Sequence, residues 1–483
     1  MSLYSFENSN MLKTLIASAL LVSNVGVEWL TSKFDTYDKI QKQVYEYAEP
    51  GYMEYKSADL FIKHLEENGF KVERGVAGIP TAFVASFGSG KPVFAVLAEY
   101  DALPGLSQDS SPQNRPLVEG GYGHACGHNL IGTGALSAAV AVSKWLAEGH
   151  EGTIRLYGCP AEEGGGGKTY MVREGLFNDV DCCISYHPSR RNDILRNSQS
   201  AKIGVIFDFE GKTSHAGATP YEGRSALDGV EALNYMMNLN REHIHPDCRM
   251  HYVITNGGEA PNIVPDKAQV YYYLRHPNPE VLKDLLKRTL AAAEGAAMGT
   301  GTTVKHSFVS GTYHILCNEH LARMAHRNLE KVGGVVLTDE EKAYVDELCR
   351  NAGEKKPTEY TTFEKVLPFQ EKLSRAGGGS DDTGDVSQVV PLCRVQTCVS
   401  PLTSHTWHFA SISGTTIGTK AMINAAKTIY LTFVELYQNP EELKKIREEW
   451  ESVQGKDYKH ECLVGNEPPA LEYFRNKAKK SQK

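Results

Sequence analysis

Between Tyr37 and Asn68, apolar and charged residues alternate at helical spacing in "YDKIQKQVYEYAEPGYMEYKSADLFIKHLEENG". The pattern breaks at Pro50-Gly51 and stops at Gly69, which predicts two helices. "TAFVASFG" and "KPVFAVLAEYDALPG" are short apolar runs closed by turns, so both predict strands, the second ending near Ala98. Farther on come a helix in "LIGTGALSAAVAVSKWLAEG", a strand running into glycines in "GTIRLYGCPAEEGGGG", a helix in "KTYMVREGLF", and an apolar strand in "VDCCISYHPS" that ends at His187. Strands alternating with helices predict an α/β fold: a mostly parallel sheet covered on both faces.

From Lys202 the rhythm changes. "KIGVIFDFEG", "SALDGVEALNYMMNLNREH", "RMHYVIT", "KAQVYYYLR", "NPEVLKDLLKRTLAAAEGAAMG" and "TTVKHSFVS" spell β-α-β-β-α-β. That is a ferredoxin-like unit, complete in roughly 110 residues. "VQTCVSP" and the long helix "GTTIGTKAMINAAKTIYLTFVELY" then resume the first style. The expected organisation is a main domain in two pieces, 32–198 and 311–440, interrupted by an inserted lid at 199–310. An N-terminal extension at 1–31 and a helical tail at 441–483 flank it.

At 483 residues the chain exceeds what one hydrophobic core serves, and 41% hydrophobic with 23% charged residues is ordinary for a globular enzyme. A formal charge of −8 without a basic stripe argues against nucleic acid as a partner. The ten cysteines form no CxxC pair, which favours buried thiols, a reducing compartment and a cytoplasmic location. Against this, "MLKTLIASALLVSNVGVEWL" from Met11 resembles the start of a secretory signal, so an exported, periplasmic form is the competing reading. The run is too short to span a bilayer, and no membrane association is expected.

Three of the predicted strands end in residues of metal-binding type: Glu99 and Asp101, then Glu162 and Glu163, then His187. In open α/β sheets such strand ends converge on one crevice. Cys126 and His128, two apart in "GYGHACGHNLIGTG", would point to one side of an extended loop and form a good ligand pair. Each motif alone has a blander reading: a buried thiol beside a satisfied histidine, or a solvated Glu-Glu turn. A thiol, imidazoles and carboxylates gathered at one rim fit a metal cluster better. A competing enzyme reading makes Cys126 a nucleophile activated by His124 or His128, and leaves Glu162, Glu163 and His187 without a task.

"EYDALPGLSQ", "GHACGHNLIGTG", "PAEEGGGGKTYMVREGLFNDVD", "SHAGATPYEGRSALDGVEALN", "APNIVPDKAQVYYYLR" and "GDVSQVVP…SHTWHF" together resemble the dinuclear-metal amidohydrolases of the aminoacylase and carboxypeptidase superfamily, with the p-aminobenzoyl-glutamate branch nearest. The resemblance implies a zinc-peptidase-like α/β domain interrupted by a lid that often dimerises. It implies two divalent metal ions, manganese or zinc, held by Cys126, His128, Glu163, His187 and His405. Glu162 falls on the general base, Asp101 on the residue that orients a ligand, and His215 on the lid histidine that stabilises the oxyanion, often across a subunit boundary. Asn262 and Arg275 fall on lid positions that hold the substrate's carboxylate or carbonyl. The implied substrate is an N-acyl amino acid, foremost an aromatic acyl-glutamate such as p-aminobenzoyl-glutamate; dipeptides and other N-acyl amino acids would suit the same machinery. A homodimer through the lid and a heteromer with a homologous subunit are both implied, as is a non-catalytic subunit. Lid closure implies hinges near Ser200 and Ser310. Glu99 stands where many relatives have histidine, Asn129 where many have aspartate, and Asp381 beside Asp382 has no counterpart in the expected pattern.

Overall fold

A computed structural model describes residues 25–356, 358–374 and 376–481. The first periodic stretch forms α1 (Phe34–Tyr47) and α2 (Tyr55–Glu67). In α1 the buried positions are Tyr37, Ile40, Gln41, Val44 and Tyr45, the single stripe that a 3.6-residue period produces. Residues 25–32 are helical as well. The apolar run from Met11 to residue 24 lies outside the described residues. No helix among the described residues is long and apolar enough to cross a membrane.

Strands β1 (Lys71–Arg74), β2 (Phe83–Ser89) and β3 (Val93–Ala98) follow, then α3 (His128–Leu146), β4 (Gly152–Gly158), α4 (Gly167–Arg173), β5 (Cys182–Ser189) and the short β6 (Asp193–Leu195). Every residue of β3 is buried, which is why its sequence is a continuous apolar run with no alternation. Helix α3 is buried along nearly its whole length, and only Lys144 escapes. It begins at His128, earlier than the apolar run suggests. Strand β5 continues two residues past His187.

The inserted unit comprises β7 (Ala201–Glu210), α5 (Ala226–Asn240), β8 (Arg249–Asn256), β9 (Lys267–His276), α6 (Pro279–Thr300) and β10 (Thr303–Thr312). Its four strands run antiparallel in the order β8-β9-β7-β10. Ile203, Val205, Phe207 and Leu274 pack with Leu233, Met237, Leu282 and Leu285 into a core of their own. In β9, burial alternates residue by residue: Val270, Tyr272 and Leu274 turn inward, while Tyr271, Tyr273 and Arg275 lie on the opposite face. Strand β10 runs through Ser310 to Thr312, with a register shift between Phe308 and Ser310.

The chain then returns through α7 (Glu319–Val332), α8 (Asp339–Asn351), α9 (Thr383–Val389) and β11 (Leu392–Cys398) to α10 (Trp407–Ser413), α11 (Thr416–Gln438) and α12 (Pro440–Gln454), and α13 (Leu471–Ser481) follows. The main sheet has the order β1-β2-β4-β3-β5-β11-β6. Its four central strands, β4, β3, β5 and β11, are parallel neighbours, and the flanking strands are antiparallel. The elements expected from the sequence include neither α7 nor α8, although Leu321, Ala322, Met324, Ala325 and Leu329 recur at helical spacing in α7 and α8 carries a capping box between Thr338 and Glu341 that is visible in the sequence. In α13, Tyr473 meets Tyr271 of β9 at 5.8 Å between ring centroids and Phe474 meets Tyr52 at 5.2 Å, so the tail helix touches both units.

Candidate metal centre

The carboxyl ends of the parallel strands carry the site. Glu99 and Asp101 follow β3, Glu162 and Glu163 follow β4, His187 lies in β5, Cys126 directly precedes the N-cap Gly127 of α3, and His128 opens that helix. The structure brings these together with His405, which precedes α10. The extended loop expected for Cys126 and His128 is not what forms. Gly127 adopts φ +82, and a Cβ there would lie 2.7 Å from Pro188 Cγ. The chain therefore bends sharply at a position that only glycine fills without strain, and His128 becomes the first residue of α3.

Cys126 Sγ lies 3.4 Å from His187 Nε2. Cys126, His128 and Glu163 present donor atoms within 4.8 Å of one another. His128 Nδ1 donates to Asp101 Oδ1 at 2.9 Å. Its Nε2 faces Glu99 Oε2 at 3.5 Å and both Glu162 Oε2 and Glu163 Oε1 at 3.8 Å. His405 Nε2 is 3.4 Å from Glu163 Oε1. Its backbone takes the left-handed φ of 61, held by its amide's bond to the Ala125 carbonyl, a strained setting for a residue with a side chain. Asp101 also accepts the amides of Glu162 and Glu163, at 3.2 and 3.0 Å. One buried carboxylate thus sets both the ring of His128 and the turn that presents the two glutamates.

Burial, then the carboxylates of Asp381 and Glu163, push Glu162 well above the usual carboxylate range. Burial raises Glu163 too, against the opposing pull of His128 and His405. Burial and then Arg394 lower His187 to about 4, so its ring is neutral, with Nδ1 donating to the Pro188 carbonyl and the lone pair left on Nε2, the nitrogen that faces Cys126 Sγ. Burial opposes charge on His128, but the Asp101 carboxylate outweighs it and holds the ring's pKa well above the usual histidine range. Burial and Glu163 push the Cys126 thiol up, and His124 Nε2 is engaged by the Val44 carbonyl. Neither feature suits an activated thiolate nucleophile, which needs a depressed pKa and a free base.

Glu99 Oε2, His128 Nε2 and Glu163 Oε1 are buried with no hydrogen-bond partner among the described residues. Orphaned donor atoms of this kind, converging from a thiol, imidazoles and carboxylates, fit a divalent cation.

The structure also supplies residues that patterning missed. Glu54 Oε1 accepts the amide of Ala161, which is left-handed at φ 57, and Glu54 Oε2 accepts the Thr81 hydroxyl. Lys168, fully buried, bonds Glu99 Oε1 at 2.7 Å and Asp382 Oδ1 at 2.5 Å. Arg394 pairs with Asp381 at 2.6 Å, which accounts for the acidic pair at 381–382: each carboxylate has its own buried cation. No local signal marks these residues, because each is defined by a partner far along the chain. Asn129 donates to Gln41 Oε1 and the Ser413 carbonyl, a bridging role inside the core.

The lid residues are placed differently. His215 is exposed, its Nδ1 accepting the amides of Gly217 and Ala218. Asn262 is exposed beside it, its carbonyl accepting the amide of Ala216. Among the described residues, both keep their contacts within the lid. Arg275 reaches across, donating to the Gly378 carbonyl at 2.9 Å and Ser380 Oγ at 3.3 Å, next to Asp381.

Residues 95–360 match the model of peptidase family M20/M25/M40. The chain belongs to this family. It is 38% identical over 447 residues to a subunit of the p-aminobenzoyl-glutamate hydrolase of Escherichia coli (strain K12), covering 86% of this chain and 92% of that one. It is 29% identical over 385 residues to the Xaa-Arg dipeptidase of Mus musculus, covering 77% and 78%. Among solved structures, a dinuclear metal-binding peptidase of the M20 family from Bacillus subtilis shares the fold with a TM-score of 0.56 at 16% identity, covering 85% of this chain and 99% of its own. Members of this M20-type family are hydrolases of amide bonds, and the α/β architecture with a largely parallel central sheet is theirs.

Proposed function

We propose that this chain is a metal-dependent amidohydrolase that splits an N-acyl amino acid, foremost an aromatic acyl-glutamate such as p-aminobenzoyl-glutamate. One observation carries the reading: Cys126, His128 and Glu163 converge with unpartnered donor atoms beside the elevated carboxyl of Glu162. The 38% identity to the Escherichia coli hydrolase supports the substrate.

Cys126, His128, Glu163, His187 and His405 would hold the cations, two by analogy with the Bacillus subtilis peptidase, manganese or zinc. Divalent cations bound there supply a Lewis acid that polarises a carbonyl and lowers the pKa of water. Glu162 takes the proton of the attacking water and passes it to the leaving amine, for which a carboxyl tuned upward is suited. Asp101 fixes His128 in one tautomer by holding Nδ1. His215 donates to the oxygen on which charge develops, and Asn262 and Arg275 grip the substrate's carboxylate or carbonyl. A cavity of about 600 Å³ opens beside His187, lined by Arg190, Arg191, Gln396, Ser404 and Phe409 among others; it suits a small ligand with aromatic and anionic parts.

The division into a main unit at 32–198 and 311–440, a lid at 199–310 and a tail from 441 is supported by the separate core of the lid. His215 lies exposed on that lid, open to a second copy. The lid's edge strand β8 exposes Tyr252, Val253 and Ile254, an edge suited to pairing with another chain. A homodimer through this edge is the first reading. The Escherichia coli relative is itself one subunit of its hydrolase, which supports a second reading in which a homologous subunit completes the enzyme. All ten cysteines are free, in keeping with the cytoplasm.

The test is hydrolysis of p-aminobenzoyl-glutamate by the isolated chain, stripped of metal and reloaded with manganese or zinc. Glutamate release only after reloading is expected. A metal-loaded chain with no turnover on this substrate would overturn its assignment as a self-sufficient acyl-glutamate hydrolase.

A further inference from the structure

Glu99 has two differently engaged oxygens. Oε1 is bonded by the Lys168 ammonium at 2.7 Å, and Lys168 in turn lies against Asp382. Oε2 is buried, has no hydrogen-bond partner among the described residues, and faces His128 Nε2 at 3.5 Å. His128 Nε2 is itself buried without a hydrogen-bond partner, although its other nitrogen is held by Asp101. A carboxylate oxygen and a ring nitrogen facing each other in a dry interior need a proton or a cation between them. The 3.5 Å gap is too long for a good hydrogen bond. It is close to the separation of about 3–3.5 Å between two donors on one ion whose bonds are each about 2.0–2.2 Å.

Glu99, Asp381 and Asp382 also form an acidic group of their own. Lys168 and Arg394 balance two of its three carboxylates, and the oxygen left without a hydrogen-bond partner, Glu99 Oε2, faces His128 of the centre.

We infer that Glu99 is a further metal ligand of this centre, binding through Oε2 the ion that His128 holds, with Lys168 anchoring its other oxygen. This rests on the reading of the centre as a metal site. Lys168 does for Glu99 what Asp101 does for His128: it fixes the outer atom so that the inner one is aimed.

Cobalt(II) alone is the probe, titrated into the full chain after metal removal. Equilibrium dialysis counts the ions bound, and the near-ultraviolet thiolate-to-cobalt band reports Cys126 independently of Glu99. Glu99→Gln keeps an acceptor for Lys168 but removes the carboxylate. It is expected to weaken binding of one ion by about tenfold to a hundredfold or more and to shift the visible cobalt bands. Glu99→His places another good ligand at the position and is expected to retain more affinity while moving the same bands, which decides the matter should Glu99→Gln fail to fold. Cobalt affinity and visible bands identical to the unsubstituted chain in the folded variants would overturn the role of Glu99 while leaving the metal centre standing. An unsubstituted chain that binds no cobalt would overturn both.

Discussion

Glu54 Oε1 accepts the amide of Ala161 at 2.9 Å, so a buried carboxylate from the connection between the first two helices grips the residue directly before Glu162. The same oxygen accepts the amide of Tyr52, and Oε2 the hydroxyl of Thr81. Ala161 holds a left-handed φ of 57, which a methyl side chain does not favour. Glu54 is one of the contacts that keep it there, and through it the presentation of Glu162.

Burial, then the charge of Asp101, pushes Glu54 from 4.5 up to about 8. Between those values the unfolded chain has released a proton that the folded chain retains. The contribution of Glu54 to stability is therefore fully present below about 4.5 and declines as pH rises toward 8. Glu54→Gln cannot ionise, so its urea midpoint should improve relative to the unsubstituted protein as pH is raised across that window. Parallel midpoints across the same range would show that Glu54 does not titrate there. Glu54→Ala should be costlier, by about 1–3 kcal/mol for each buried donor left without a partner.

Glu162→Gln should bind metal and fold normally yet lose roughly a hundredfold to ten-thousandfold in kcat. Because Glu162 accepts a proton only when ionised, and its pKa is raised, the acid limb of kcat/KM should lie above the ordinary carboxylate range. Activity climbs as pH passes upward through that limb. Near-normal turnover in the variant would remove Glu162 from the base role.

Asp101→Asn should act on the metal before it acts on chemistry. It removes the charge that favours the Nδ1 proton of His128 and offers an amide group where the Glu162 and Glu163 amides need acceptors. Metal affinity should fall by about tenfold to a hundredfold, read by competition with a chelator. Unchanged affinity would mean that His128 is aimed by its helix alone.

Arg275→Ala should change kcat and KM together. Its bond to the Gly378 carbonyl at 2.9 Å joins the lid to the segment leading into Asp381, and loss of a charged hydrogen bond costs about 1.5–3 kcal/mol. Arg275→Lys should recover part of the loss, since both bonds come from the single nitrogen Nη1 and a lysine ammonium also carries several donors. Steady-state kinetics on both variants checks this. An effect on KM alone would make Arg275 a substrate contact with no part in seating the lid.

Much of this was legible in the chain itself. The buried runs at Val93–Ala98, Gly152–Gly158 and Cys182–Ser189 announce central strands, and the alternation in Lys267–His276 announces a sheet with one face in a core. These are local signals, because burial repeats with the period of the element. The strand-end rule then places Glu99, Asp101, Glu162, Glu163 and His187 at one rim without any coordinates. Tertiary structure alone decided the rest. The bend at Gly127 depends on Pro188 lying against it, Glu54 finds Ala161 across 107 positions, and Lys168 finds Asp382 across 214. A buried charge is defined by its partner, and the partner is chosen by how the chain packs, so no window of sequence holds both halves of that information.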